Sequence, residues 1–169
     1  MPALTGPIAS VEVEIDLIHP WAGDVTAILI APDSTGHTLF GRVLASTGPA
    51  CGSSSNFNGT YAFHDLANPP HGGPWQAATA VGTGDIPPGE YRTTNAGGAG
   101  ATNPMPPTSL DAPFAGMTAG EAQGQWILRV IDSSQGDLGE VNAARLKFWV
   151  AGPSDRIFDN GFENLLPVH

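Results

Sequence analysis

Apolar and polar residues alternate with a period of two along several short stretches. The most developed pair lies at residues 124–150 (GQWILRVIDSSQGDLGEVNAARLKFWV). Over residues 125–131, Trp126, Leu128 and Val130 fall on one side and Ile127, Arg129 and Ile131 on the other. Residues 144–150 repeat the pattern, with Leu146, Phe148 and Val150 against Arg145, Lys147 and Trp149. Alternation of β-branched and aromatic residues in this way predicts strands with one buried face. The connection, residues 132–139, holds Asp132 and Asp137 beside glycines suited to tight turns. The unit reads as hairpin-like, closing a β-sandwich.

The same reading organises the rest of the chain. Residues 1–9 form a lead-in, and residues 8–18 alternate cleanly, Val11, Val13, Ile15 and Leu17 against Glu12, Glu14 and Asp16. Residues 25–31 (VTAILIA) are apolar on both faces, which predicts a central strand. Further strands are expected at 37–44 and 59–64, with a loop of small residues at 45–58. A turn into an edge strand is expected at 87–91, where Pro is tolerated. The pattern blurs over 68–83. Residues 95–108 (NAGGAGATNPMPPT) read as a mobile excursion, because Gly, Ala and Pro follow one another without periodicity. Only 117–122 and 140–145 look faintly helical, and both are too short to hold a helix alone. The division is therefore a lead-in at 1–9, one β-sandwich at 10–152 and a tail at 153–169, which is expected to dock as an extended segment through Phe158 and Phe162.

Composition sharpens this picture. The chain of 169 residues suits one domain with a proper core, and 22 Gly with 16 Pro fit an all-β protein rich in turns. Sixteen Asp and Glu against six Lys and Arg give a net charge of −10. A field of that sign repels nucleic acid and anionic lipid, so neither is an expected partner. No apolar run approaches the ~20 residues needed for a membrane-spanning helix. Cys51 is the only cysteine, which excludes an intrachain disulfide and a cysteine-based zinc site. No basic stretch followed by an apolar one marks a signal peptide, so a secreted protein would carry its signal upstream of Met1.

Taken in order, several blocks resemble the P domain (P/Homo B domain) that follows the catalytic domain of kexin- and furin-like subtilisin-type proteases and occurs in bacterial exported proteins. They are residues 13–19 (VEIDLIH), Gly23-Asp24-Val25 entering 28–32 (ILIAP) with its Gly36 turn, Asn56-Phe57, residues 63–67 (FHDLA) and residues 88–91 (PGEY). The last are Leu110 through Phe114-Ala115-Gly116, residues 124–128 (GQWIL), Val130-Ile131-Asp132, residues 136–139 (GDLG) and residues 146–148 (LKF). At His19 the chain continues Pro-Trp, where the family more often has Thr and an aromatic. The resemblance implies a jelly-roll β-sandwich of about eight strands, secreted or extracellular. It also implies a module that packs on an adjacent domain of the same polypeptide and supports its folding. Bound calcium is described for bacterial members. The tail 156–163 (RIFDNGFE) is similar to a short carboxy-terminal motif of exported proteins of gram-negative bacteria.

The chemistry that the residues can offer is limited. Ser, His and Asp are all present, but no Gly-x-Ser-x-Gly elbow is, and the blocks above lie outside the family's catalytic domain. The chain is read as non-catalytic. Calcium needs six to eight oxygens, several from carboxylates, and the candidate suppliers are Asp24, Asp65, Asp132 and Asp137. Without a metal these aspartates serve equally well as turn residues that bond their own backbone. No EF-hand ladder occurs, and the histidines show no paired spacing. The alternative function is an independent carbohydrate- or ligand-binding jelly roll, with Trp21 and Trp75 in loops as a stacking platform.

Overall fold

A computed structural model of the chain describes residues 6–46, 51–67, 72–151 and, by their backbone, 157–161. It is all-β. Its larger sheet is built around β1 (Ile8–His19), which pairs antiparallel with β4 (Asn56–Phe63) on one side and β10 (Glu140–Val150) on the other. Two short strands, β5 (Asp85–Ile86) and β6 (Gly89–Tyr91), add to β4 in parallel. The smaller sheet has β2 (Val25–Ile30) at its centre, between β3 (Gly36–Gly41) and β9 (Ile127–Asp132). A two-stranded piece, β7 (Thr93–Thr94) with β8 (Pro107–Thr108), lies beside β3.

The two main sheets meet through their period-two apolar faces. Val11, Val13, Ile15 and Leu17 of β1, with Leu146, Phe148 and Val150 of β10, are buried as the alternation predicts. Val25, Ala27 and Leu29 face them from β2. Aromatic rings make the junction: Phe40 of β3 lies 4.8 Å from Phe57 and 5.5 Å from Phe63, both on β4. At the other end of the core Trp126 is 4.9 Å from Phe148, and its Nε1–H donates to the carbonyl of Ala122. Ring pairs of this kind add to the burial of the rings themselves, about 1 kcal/mol each.

Four sequence expectations are corrected. The unit at 124–150 is no hairpin: β9 belongs to the smaller sheet and β10 to the larger, so the acidic loop crosses from one layer to the other. Alternation reports that a strand has a buried face and is silent on which sheet it joins. The blurred stretch contains a helix, α1 (Pro74–Val81), opened by Pro74 and by Gln76, whose side chain accepts from the Gly73 amide. Trp75 lies on this helix, wholly buried, with Nε1–H donating to Asn103. A second short helix, α2 (Ala119–Ala122), is capped by Thr118 and Glu121, within the region read as faintly helical. The other such region, 140–145, is the start of β10.

The last correction concerns 95–108. Gly97 and Gly98 donate to the carbonyls of Gly41 and Ala45 at 2.8 and 2.6 Å, and Met105 is buried. A Cβ at Gly97 would overlap the Arg42 carbonyl oxygen, and would lie 2.6 Å from that of Ala45 and 2.8 Å from the Trp75 ring. Gly97 thus serves close approach of backbone to backbone, whereas Gly98 and Gly100 have open space at the Cβ position and take φ of 151° and 81°. Of the tail, 157–161 pairs with β10 as the edge strand β11 (Ile157–Gly161). Phe162 and the side chain of Phe158 lie outside the described residues.

Because two of the three overlapping groups are main-chain carbonyls, Gly97→Ala is expected to lower stability by about 2–3 kcal/mol in urea unfolding. Gly120→Ala, in α2 with open space around it, is expected to be neutral or slightly stabilising.

Candidate functional site

Three loops converge at the end of the sandwich where β1 finishes and β2 begins. The first is the turn 19–24, whose Ala22 and Gly23 amides donate to the carbonyls of Ser55 and Ser53. The second is 51–55, held there because a Cβ at Gly23 would overlap the Cys51 carbonyl and lie 2.6 Å from the Ser53 nitrogen. Trp21 closes over it, its Nε1–H donating to the Cys51 carbonyl at 2.8 Å. The third is the acidic crossing between β9 and β10.

His19 pins the third loop to the first. Its ring is 1% exposed. Nδ1 accepts the Trp21 amide at 3.1 Å, so in the neutral ring the proton sits on Nε2. That nitrogen faces Asp132 Oδ2 at 3.4 Å without forming a hydrogen bond. At the far end of the loop, a Cβ on Gly139 would overlap the His19 ring and lie 2.9 Å from the Ile18 carbonyl. The ring is thus clasped from both ends of the acidic loop. Asp24, also buried, carries its main-chain oxygen to the Ser133 amide at 2.9 Å. Burial raises the Asp24 carboxyl above its ordinary value; Asp132 and Asp137 push it the same way, against the opposing pull of His19 and Arg42. Three of the four sequence candidates therefore share one electrostatic neighbourhood, and it is short of positive charge.

Asp65 does not join them. Phe63 pairs with Val13 whereas Phe57 pairs with His19, so Asp65 lies some six strand residues, about 20 Å, from the site end. There it ties the 109–111 turn to the sheet: the Ser109 hydroxyl and the amides of Leu110 and Asp111, the latter two at 2.8 and 3.2 Å, all donate to it, and Arg92 lies at 3.7 Å. Asp111 in turn accepts from the Val11 amide and the Ser10 hydroxyl. Burial alone would raise the Asp65 carboxyl; the hydrogen bonds and Arg92 outweigh it and hold the group below its ordinary value. The sequence marked Asp65 as an acid at a strand end and carried no sign that its acceptors were already engaged.

Among the described residues no three His, Cys, Asp or Glu side chains gather as a ready metal group. Away from this end, His37 Nε2 lies 3.0 Å from Thr93 Oγ1 and 3.5 Å from Thr108 Oγ1. Thr93 is wholly buried, so that contact belongs to packing under the β7–β8 piece. The proposed stacking platform is not assembled either: Trp75 is core and Trp21 is half-buried against the 51–55 loop. No helix is long and apolar enough to cross a membrane among the described residues. The chain matches no family model, no curated protein and no solved structure.

The two acid environments predict opposite responses. Asp65 titrates below 3.8 when folded. Its stabilisation is present above that value and is lost as the pH falls through the folded one. Asp65→Ala is expected to cost about 2–4 kcal/mol at pH 7 and much less near pH 2. Asp24 titrates above 3.8 when folded, so its ionisation opposes folding as pH rises through that range. Asp24→Asn in metal-free buffer is expected to leave the pH 7 melting temperature unchanged or higher. Urea melts of both variants across pH 2–7 check the signs.

Proposed function

We propose that the chain is a non-catalytic accessory module of the P-domain kind, carried by an exported multidomain protein beside a subtilisin-type serine protease domain, which it stabilises. The observation that carries this reading is the ordered set of blocks, whose apolar positions supply the inner faces of β1, β2, β4, β9 and β10 in an all-β sandwich. The module needs no nucleophile of its own. It works by presenting a rigid face to its neighbour.

Calcium belongs to this reading at the three-loop end. The donors there are hard carboxylate oxygens, the chemistry that calcium prefers, and burial first, then Asp132 and Asp137, raises the Asp24 carboxyl against the pull of His19 and Arg42. Asp24, Asp132 and Asp137 do not gather as a metal group as they stand and would have to close on the ion together with carbonyl oxygens of the same loops; Asp65 would take no part. A bound ion would offset the repulsion and stiffen the crossing from β9 to β10.

Calorimetric melts in calcium and then in EGTA test the metal. The expected result is a rise of several degrees with calcium, lost in Asp24→Asn and retained in Asp85→Asn, an exposed acid held by Asn56 and Asn58. An unchanged melting temperature in the parent chain removes calcium from the reading. The flanking reading frame tests the rest: a signal peptide and an Asp/His/Ser protease domain are expected, and their absence contradicts the protease assignment.

A further inference from the structure

The two outer faces of the sandwich differ in a way that points to a docking surface. On the larger sheet the outward residues of β1 and β10 answer one another, Lys147 with Glu12 at 2.6 Å and Arg145 with Glu14 at 4.0 Å. That face pairs its charges across the strands, with Trp149 and the 42%-exposed Ile18 at the two ends of the ladder. On the smaller sheet the outward positions follow from the register. Ile30 stands between Gly36 and Ile127, Ile28 between Thr38 and Arg129, and Thr26 between Gly41 and Ile131. Their inward neighbours Ala27, Leu29, Leu128 and Val130 make the core contacts, whereas these isoleucines lie outside it. Ile127 is 44% exposed, and Ile28, Ile30 and Ile131 keep part of their surface in water. The four isoleucines are contiguous across β2 and β9, and a contiguous apolar patch, unlike a single exposed residue, marks an interaction surface.

The charge on this face narrows the occupant. Arg129 lies between Ile127 and Ile131 on β9, exposed, and its side chain makes no ion pair or hydrogen bond among the described residues. In a chain of net charge −10 an unanswered guanidinium within an apolar patch asks for a carboxylate from outside. A second copy is disfavoured by repulsion between two such acidic chains, and an anionic membrane by the same field.

We propose that the outer face of the β3–β2–β9 sheet, centred on Ile28 and Arg129, docks a neighbouring protein domain whose surface is apolar and presents an Asp or Glu to Arg129. This rests on the accessory-module reading and names the face that such a module would use. Thr38 and Gly36 on the β3 side leave a low flank beside the taller Ile127 and Arg129, so the occupant sits against a step rather than a flat sheet.

Cysteine labelling in a Cys51→Ser background tests the proposal. Ile127→Cys reports this face, and Thr60→Cys reports the larger sheet. Maleimide reaction rates are compared between the isolated chain and the full polypeptide in which it is encoded. The expected result is at least tenfold slower labelling at Ile127→Cys in the full polypeptide, little change at Thr60→Cys, and recovery of the rate when Arg129→Glu is added. Protection at Thr60→Cys alone overturns this face while leaving the accessory reading standing. Protection at neither position overturns both. Protection of the isolated chain that grows with its concentration assigns the face to a second copy and contradicts the proposal. Persistence of the protection in Arg129→Glu contradicts the carboxylate partner.

Discussion

Close contact between main chains, allowed only where a side chain is missing, is the constraint on which this sandwich depends. Gly97 sits against the carbonyls of Arg42 and Ala45, Gly23 against the 51–55 loop, and Gly139 against the ring of His19. Each contact fastens a connection to a strand end. Together they let a chain with 13% charged residues and many short connections hold its loops without a disulfide. The apolar faces would pack the sheets in any case. What the contacts add is a defined position for the loops, and the acids at the three-loop end depend on that position.

The consequence is clearest around His19. One buried ring receives an amide from its own turn, faces Asp132 at one end of the crossing and is covered by Gly139 at the other. Asp24 is brought into the same neighbourhood by the turn that follows. The result is an acidic end whose shape is set by packing and in which Asp132 and Asp137 act on Asp24 against His19 and Arg42. Asp65 shows the opposite condition, a carboxylate filled by hydrogen bonds and devoted to holding the 109–111 turn. Two aspartates with equal claims by residue type thus have different work, decided by what surrounds them.

Strand positions and inward faces were legible in the sequence because burial of one side imposes a period of two, and the inward residues of β1 and β10 follow that rule without exception from Val11 to Leu17 and from Leu146 to Val150. Sheet membership was not legible, since β9 and β10 differ in partner and not in pattern. Helix α1 escaped notice because it is short, is opened by a glycine and a proline, and buries its tryptophan within its first turn. The packing role of Gly97 was not legible because composition cannot distinguish a glycine that frees the chain from one that lets another chain segment approach. Among the acids, Asp24, Asp132 and Asp137 were found by type alone and their grouping came only with the fold, as did the separation of Asp65.

Amide hydrogen exchange followed by mass spectrometry, with and without calcium, tests most directly whether the clasped loops form a cation-dependent joint. Peptides covering 19–24, 51–55 and 133–139 are expected to exchange more slowly when calcium is added, with 133–139 changing most. The peptide covering 109–111, held by Asp65, is expected to stay the same. No change at 133–139, or a change confined to 109–111, contradicts the placement of the functional acids at the His19 end.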